Sequence, residues 1–204
     1  MNETGAVKFR FEIVRRELGP FVGFGDLNAA RQRLKRLGLV GVDANGVGFG
    51  NISLRDGKSR SFYITGTGTG GRVELGPKDY AKVVSWNFTR NWLRCEGCII
   101  ASTESLTHAA IYAADAEVGA VIHGHEHELW LDLIRQGAAT NADVSYGTPE
   151  MAKEVQRLFR ETNVRARKIF AMAGHTDGIV VFGSDLEEAL RTVTVELGRT
   201  RPEL

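Results

Sequence analysis

Five histidines supply most of the chain's capacity for metal or proton chemistry: His108, His123, His125, His127 and His175. Two of them flank a glycine, His123-Gly124-His125, directly after the apolar run Ala120-Val121-Ile122. In a strand, residues two apart share a face and lie about 6.6 Å from one another. Two imidazoles so placed can converge on one ion. Zinc takes imidazole nitrogens at about 2.0–2.1 Å, and a third ligand usually comes from elsewhere in the chain. His127 and His175 are the candidates. On a continued strand, His127 would lie about 13 Å from His123, which is awkward for one small ion. It also sits in Glu126-His127-Glu128-Leu129-Trp130, which reads as a helix start. His175 follows the strand-like Ile169 to Ala173, in the turn Gly174-His175-Thr176-Asp177-Gly178, and is favoured. Alone, an H-x-H also describes two unrelated surface histidines.

The segment Ala101-Ser102-Thr103-Glu104-Ser105-Leu106-Thr107-His108 gives that pair a context. If Ser102 or Thr103 caps a helix, Glu104 falls in its first turn, where amides and hydroxyls favour an anion such as phosphate. Glu104 and His108 are four apart and share a helix face. A carboxylate beside a metal can bind the ion or move a proton. The bland alternative is that Glu104 only complements the helix dipole. Gly66-Thr67-Gly68-Thr69-Gly70-Gly71 formally contains G-x-G-x-x-G. A dinucleotide site needs a helix at once after those glycines. Here Arg72 to Pro77 intervenes, and Gly76-Pro77 is a poor helix interior, so the loop fits a phosphate cradle of amides better. Cys95 and Cys98 form one C-x-x-C with no second pair for a four-thiolate zinc site. They read as reduced, mostly buried thiols beside a turn at Gly97, running into a strand-like Ile99-Ile100.

These side chains need a scaffold, and the pattern supplies an α/β one. Val7 to Leu18 is ambiguous between strand and helix. Asp26 can cap a helix with the apolar face Leu27, Ala30, Leu34 and Leu37, stopped at Gly38. Gly46 to Leu54 and Ser61 to Thr65 read as strands. Pro77 is expected to open a helix through about Asn87, and a further helix ends near Ala114. Gly119 to His125 is a buried strand, followed by a helix from Glu126 to Arg135. Thr148-Pro149 starts another helix, to about Arg160. Lys168 to Ala173 and Gly178 to Phe182 are strands. Ser184-x-x-Glu187 is a capping box for a last helix ending near Gly198.

Composition sets the limits. The chain has 204 residues, 43% hydrophobic and 25% charged, which suits one folded domain over residues 1–204 and excludes disorder as the main state. Lys+Arg 26 against Asp+Glu 25 leaves a net charge of +1, without the basic excess of a nucleic-acid binder. No apolar run approaches the roughly 20 residues of a membrane helix, and Met1 to Arg10 has no signal-peptide core. With reduced thiols, a cytoplasmic protein is expected.

Six motifs in order resemble the class II aldolase/adducin family. They are Gly50-Asn51-Ile52-Ser53, Ile64-Thr65-Gly66-Thr67-Gly68, Ser102-Thr103-Glu104 with His108, His123-Gly124-His125, Tyr146-Gly147-Thr148, and His175. The resemblance runs from about Asp26 to Leu197. It implies a three-layer αβα fold with a central, mainly antiparallel sheet, and a homotetramer with sites between subunits. It also implies a zinc ion, with Mn²⁺ or Co²⁺ as substitutes, on His123, His125 and His175. Glu104 matches the acid/base, and Asn51, Thr67, Gly68, Ser102 and Thr103 match phosphate-binding positions. The expected activity is retro-aldol cleavage of a keto sugar phosphate through a zinc-stabilised enediolate. The alternatives are an epimerase, dehydratase or decarboxylase on the same scaffold, or a non-catalytic adducin-like assembly domain. The adducin-like reading would leave His123, His125, His175 and Glu104 without a task.

Overall fold

The computed structural model describes residues 7–201. Its elements are β1 (Arg10–Arg15), α1 (Phe24–Arg36), β2 (Gly41–Val42), β3 (Gly48–Phe49), β4 (Asn51–Arg55), β5 (Phe62–Thr65), β6 (Tyr80–Asn87), β7 (Trp92–Gly97), α2 (Ser105–Ala114), β8 (Ala120–His125), α3 (His127–Arg135), α4 (Pro149–Glu161), the single turn α5 (Val164–Arg167), β9 (Ile169–Ala171), β10 (Gly178–Gly183) and α6 (Leu186–Thr200). Eight strands form the central sheet in the order β1-β7-β6-β5-β4-β8-β10-β9. Edge strand β1 runs parallel to β7, and the other neighbours are antiparallel. β2 and β3 pair in a small separate ribbon.

Strand alternation divides the core into two layers. Val121, Val180 and Phe182 pack with Leu106, Ala110, Val155 and Leu158 of α2 and α4. Ile52, Ile122, Ile179 and Val181 pack on the opposite face with Leu27, Leu34, Leu133 and Val193 of α1, α3 and α6. The result is three layers, helices on both sides of a mainly antiparallel sheet. That parity places His123 and His125 on the α2 side at the end of β8. Gly124 faces the other way, where a Cβ would meet Leu39 Cβ at 3.1 Å and the Leu39 carbonyl oxygen at 3.1 Å. The His125 amide donates to that same carbonyl.

Several expectations are corrected. Pro77 makes only a single 3₁₀ turn, Pro77–Asp79, and β6 follows where a helix was expected. The β-branched and aromatic residues Val83, Val84 and Trp86 suit a strand, and β5 and β7 pair with β6 on both sides. The ambiguous stretch Val7 to Leu18 contains strand β1, Arg10–Arg15, and no helix. β7 was missed. It buries Cys95 against Ile13 and Val83, while Ile99-Ile100 lies beyond the strand end. α1 starts at Phe24 behind Gly23 at φ 81, so Asp26 lies in its first turn and does not cap it. The last cap shifts by one residue. Asp185 accepts the Glu188 amide, and Glu188 reaches back to the Ser184 amide and hydroxyl.

The glycine-rich strand is broken at Gly50, whose φ of +75 turns the chain between Phe49 and Asn51. A Cβ there would approach the Leu39 carbonyl oxygen to 2.6 Å and Val40 Cα to 3.0 Å. Both backbone conformation and space therefore require glycine. Gly50→Ala is expected to lower unfolding stability by roughly 1–3 kcal/mol. Urea denaturation checks this, and an unchanged midpoint would refute the steric account.

Candidate active site

His123, His125 and His175 meet at the end of β8 on the α2 side, with one ligand nitrogen from each inside a 4.8 Å span. His123 is fixed by its register between Asn51 of β4 and Val180 of β10. Its Nδ1 lies 3.1 Å from the Ile179 carbonyl oxygen, so Nδ1–H donates there and leaves the Nε2 lone pair free. His125 stacks on Phe49 at 5.0 Å between ring centroids. His175 comes from the turn between β9 and β10, which is closed by the His175 amide on the Met172 carbonyl and the Gly178 amide on the His175 carbonyl. A Cβ at Gly178 would lie 2.6 Å from the His175 ring, so this glycine makes room for the imidazole. Tyr146 covers the other side, at 4.3 Å between centroids.

The nitrogens of His125 and His175 are 3.0 Å apart. Burial lowers the pKa of all three rings, His175 to about 3, and the rings' mutual repulsion lowers His123 further. At neutral pH they are neutral imidazoles, with one ring nitrogen of each close to those of the other two. That donor set fits a divalent zinc-like cation. His127 is not part of it. Its exposed ring pairs with Asp177 at 2.7 Å, which raises its pKa.

Glu104 lies just before the first residue of α2 and is 2% exposed. The expected capping is altered. Glu104 itself holds the cap position, its carboxylate caps no amide, and its own amide reaches the Ser102 hydroxyl at 3.4 Å. Oε2 accepts from the Thr107 hydroxyl at 2.9 Å, and Oε1 is buried with no partner among the described residues. Desolvation pushes this carboxyl up to about 7, only partly offset by Thr107 and by the charge of Lys8. A residue serving only the helix dipole would bond helix amides. His108, one turn on, is fully buried with Nδ1 at 2.7 Å from the Ser53 hydroxyl, and burial lowers its pKa to about 3. It supports the β4–α2 contact.

A cleft of about 540 Å³ joins these groups. His123, His125, His175 and Glu104 line it, as do Asn51, Thr67, Gly68, Ser102 and Thr103. All nine candidate residues therefore face one space. Asn51 Oδ1 is another buried acceptor without a partner among the described residues. Sequence reasoning missed Phe49, Asp43 and Asp177 on the same walls. Only the glycine density around Phe49 hinted at a wall there. Cys95 and Cys98 are free thiols outside this cleft.

Residues 27–196 match the Class II Aldolase and Adducin N-terminal domain, and the chain belongs to that family. No curated protein matches the chain significantly. Among solved structures, the fold is similar to L-fuculose-1-phosphate aldolase from Thermus thermophilus, at 21% identity over 86% of this chain and 89% of that one, TM-score 0.58. It is also similar to YgbL from Klebsiella pneumoniae, for which aldolase, epimerase and decarboxylase activities have been put forward, at 22% identity over 88% and 86%, TM-score 0.64. A sugar-phosphate aldolase from Thermotoga maritima aligns at 16% identity over 84% and 88%, TM-score 0.59. None of the described helices is long and apolar enough to cross a membrane.

Two outcomes follow. Replacing His123, His125 or His175 by Ala should sharply lower zinc retained after dialysis, while His127→Ala retains it; loss in His127→Ala with retention in His175→Ala would reverse the assignment. The second concerns pH. Glu104 has a folded pKa above its unfolded value of 4.5. Its contribution to stability is therefore complete below pH 4.5 and lost as pH rises through about 7. In metal-stripped protein, Glu104→Gln should gain stability over wild type at pH 8 and lose that gain at pH 4.5. Parallel stability–pH curves for the two proteins would contradict the desolvated carboxylate.

Proposed function

We propose that the chain is a metal-dependent lyase that cleaves a keto sugar phosphate by a retro-aldol reaction. The observation that carries this reading is a desolvated carboxylate, Glu104, sharing one cleft with three converging neutral imidazoles. His123, His125 and His175 would hold the cation, zinc by preference and manganese or cobalt as substitutes. When bound, the ion supplies Lewis-acid polarisation of a substrate carbonyl.

The protein's own groups do the rest. Glu104 moves the proton at the carbon next to the carbonyl. In cleavage the hydroxyl proton of the carbon that becomes the aldehyde passes to solvent as the C–C bond breaks, and protonated Glu104 gives its proton to the carbon next to the carbonyl; in the reverse addition Glu104 takes that proton and solvent returns the other. A pKa near 7 makes both protonation states accessible at neutral pH. The Ile179 carbonyl holds the His123 ring in one tautomer, Phe49 stacks on the His125 ring, and Tyr146 packs at a tilt against the His175 ring. Asn51, Thr67, Gly68, Ser102 and Thr103 bind the phosphate, next to the start of α2 where amide dipoles favour an anion. A homotetramer and a cytoplasmic location complete the proposal and rest on the family resemblance. The likeness to YgbL keeps an epimerase or decarboxylase as the second reading.

A panel of ketose phosphates with added Zn²⁺, Mn²⁺ or Co²⁺, assayed for aldehyde release, tests the reaction. Epimerised or decarboxylated product without aldehyde would replace it. In Glu104→Gln, turnover should fall by about 10²–10⁴-fold with zinc content unchanged. Solvent deuterium incorporation next to the carbonyl should slow in parallel, and wild-type exchange in this variant would remove Glu104 from the proton-transfer role.

A further inference from the structure

Arg31 is 1% exposed in the middle of α1, and no carboxylate lies within ion-pair distance among the described residues. Burying a cation is costly unless its donors are satisfied. Here one short segment satisfies them. The two N–H groups of Nη2 are shared among the carbonyls of Thr69 at 2.9 Å, Gly70 at 3.1 Å and Arg72 at 2.7 Å, and Nη1 donates to Val73 at 3.2 Å. Other polar residues on the same helix face extend the clamp. Asn28 donates to the Leu75 carbonyl, Gln32 to Val73, and Lys35 to Gly71 and Arg72. Positions 28, 31, 32 and 35 follow helical spacing, so α1 presents one polar stripe to the carbonyl side of the loop.

The loop's other side lines the cleft. The amides of Gly68, Thr69 and Gly70 donate to no protein acceptor among the described residues. A planar trans peptide points its C=O and N–H in opposite directions. With the Thr69 carbonyl held toward α1, the Gly70 amide is turned away from α1. Gly70 cannot shift far either, since a Cβ there would lie 2.5 Å from the Gly41 carbonyl oxygen and 2.8 Å from that of Phe49.

We propose that Arg31 is the positioning residue of the phosphate wall, holding the carbonyls of loop 69–73 on the α1 side so that Thr67, Gly68 and Gly70 keep lining the cleft. This rests on the phosphate reading of the cleft. A guanidinium fork suits several carbonyls at once, whereas an ammonium is a point charge on a flexible stem.

The test is calorimetric titration of inorganic phosphate into the zinc-loaded protein, compared among wild type, Arg31→Ala, Arg31→Lys and the exposed control Arg33→Met. Phosphate affinity should fall roughly tenfold in Arg31→Ala and by less in Arg31→Lys. Zinc content should not change, and Arg33→Met should match wild type. Millimolar guanidinium should restore affinity to Arg31→Ala. With a ketose phosphate as substrate, KM should rise far more than kcat falls. For the unphosphorylated ketose, kcat/KM should be unchanged, which a general loss of structure would not spare. If Arg31→Ala fails to fold, Arg31→Lys carries the test. Wild-type phosphate affinity in Arg31→Lys, or equal losses with both ketoses, would overturn the inference. A wild-type protein that binds no phosphate would overturn the phosphate reading, and this inference with it.

Discussion

The site depends on one electrostatic constraint, a buried carboxylate sharing a cleft with one buried and two half-buried neutral imidazoles. Glu104 Oε1 has no partner among the described residues, and Lys8 acts on the carboxyl through its charge. Each group alone is unfavourable to bury. A divalent cation would take the imidazole lone pairs and stabilise a nearby carboxylate. The arrangement is stored in rigid elements: β8 parity, the turn between β9 and β10, and the residue that leads into α2.

The opposite wall follows a different principle. It is built largely from the loop Gly66 to Gly70, and a loop of glycines has little stiffness of its own. Rigidity comes from outside, from the polar stripe of α1 on one side and from close packing of Gly70 on the β2–β3 ribbon on the other. Arg31 occupies a helix face otherwise used for core packing, with Leu27 and Leu34 as its neighbours at helical spacing.

Much of this was legible in the sequence, because local rules and the fold agree there. The H-x-H spacing defines a strand face whatever the rest of the fold does. Thr148 caps its helix with its own side chain, as Thr148-Pro149 indicated, while Glu126, expected as the first residue of its helix, instead caps it by accepting the Leu129 amide. The misreadings have specific causes. Pro77 is a valid helix opener locally, but pairing with β5 and β7 made residues 80–87 a strand. β7 alternates, with Leu93 and Cys95 inward and Arg94 and Glu96 outward, but over so few residues, running into the C-x-x-C and Gly97, that it reads as a turn; Arg10–Arg15 lies at its outer edge. The space Gly178 leaves for His175, the stacking of Phe49 on His125 and the clamp by Arg31 link side chains and backbone that no single sequence motif contains. No local pattern encodes such contacts.

The central claim is that three imidazoles at the end of β8 hold a divalent ion within reach of Glu104. The most direct measurement is the X-ray absorption fine structure of the zinc-loaded protein at the zinc edge. The account predicts one zinc per chain surrounded by nitrogen and oxygen at about 2.0–2.1 Å, with the outer-shell scattering of three imidazole rings. A sulfur shell at about 2.3 Å would move the metal to Cys95 and Cys98. That result, or a spectrum unchanged in His123→Ala, would contradict the account.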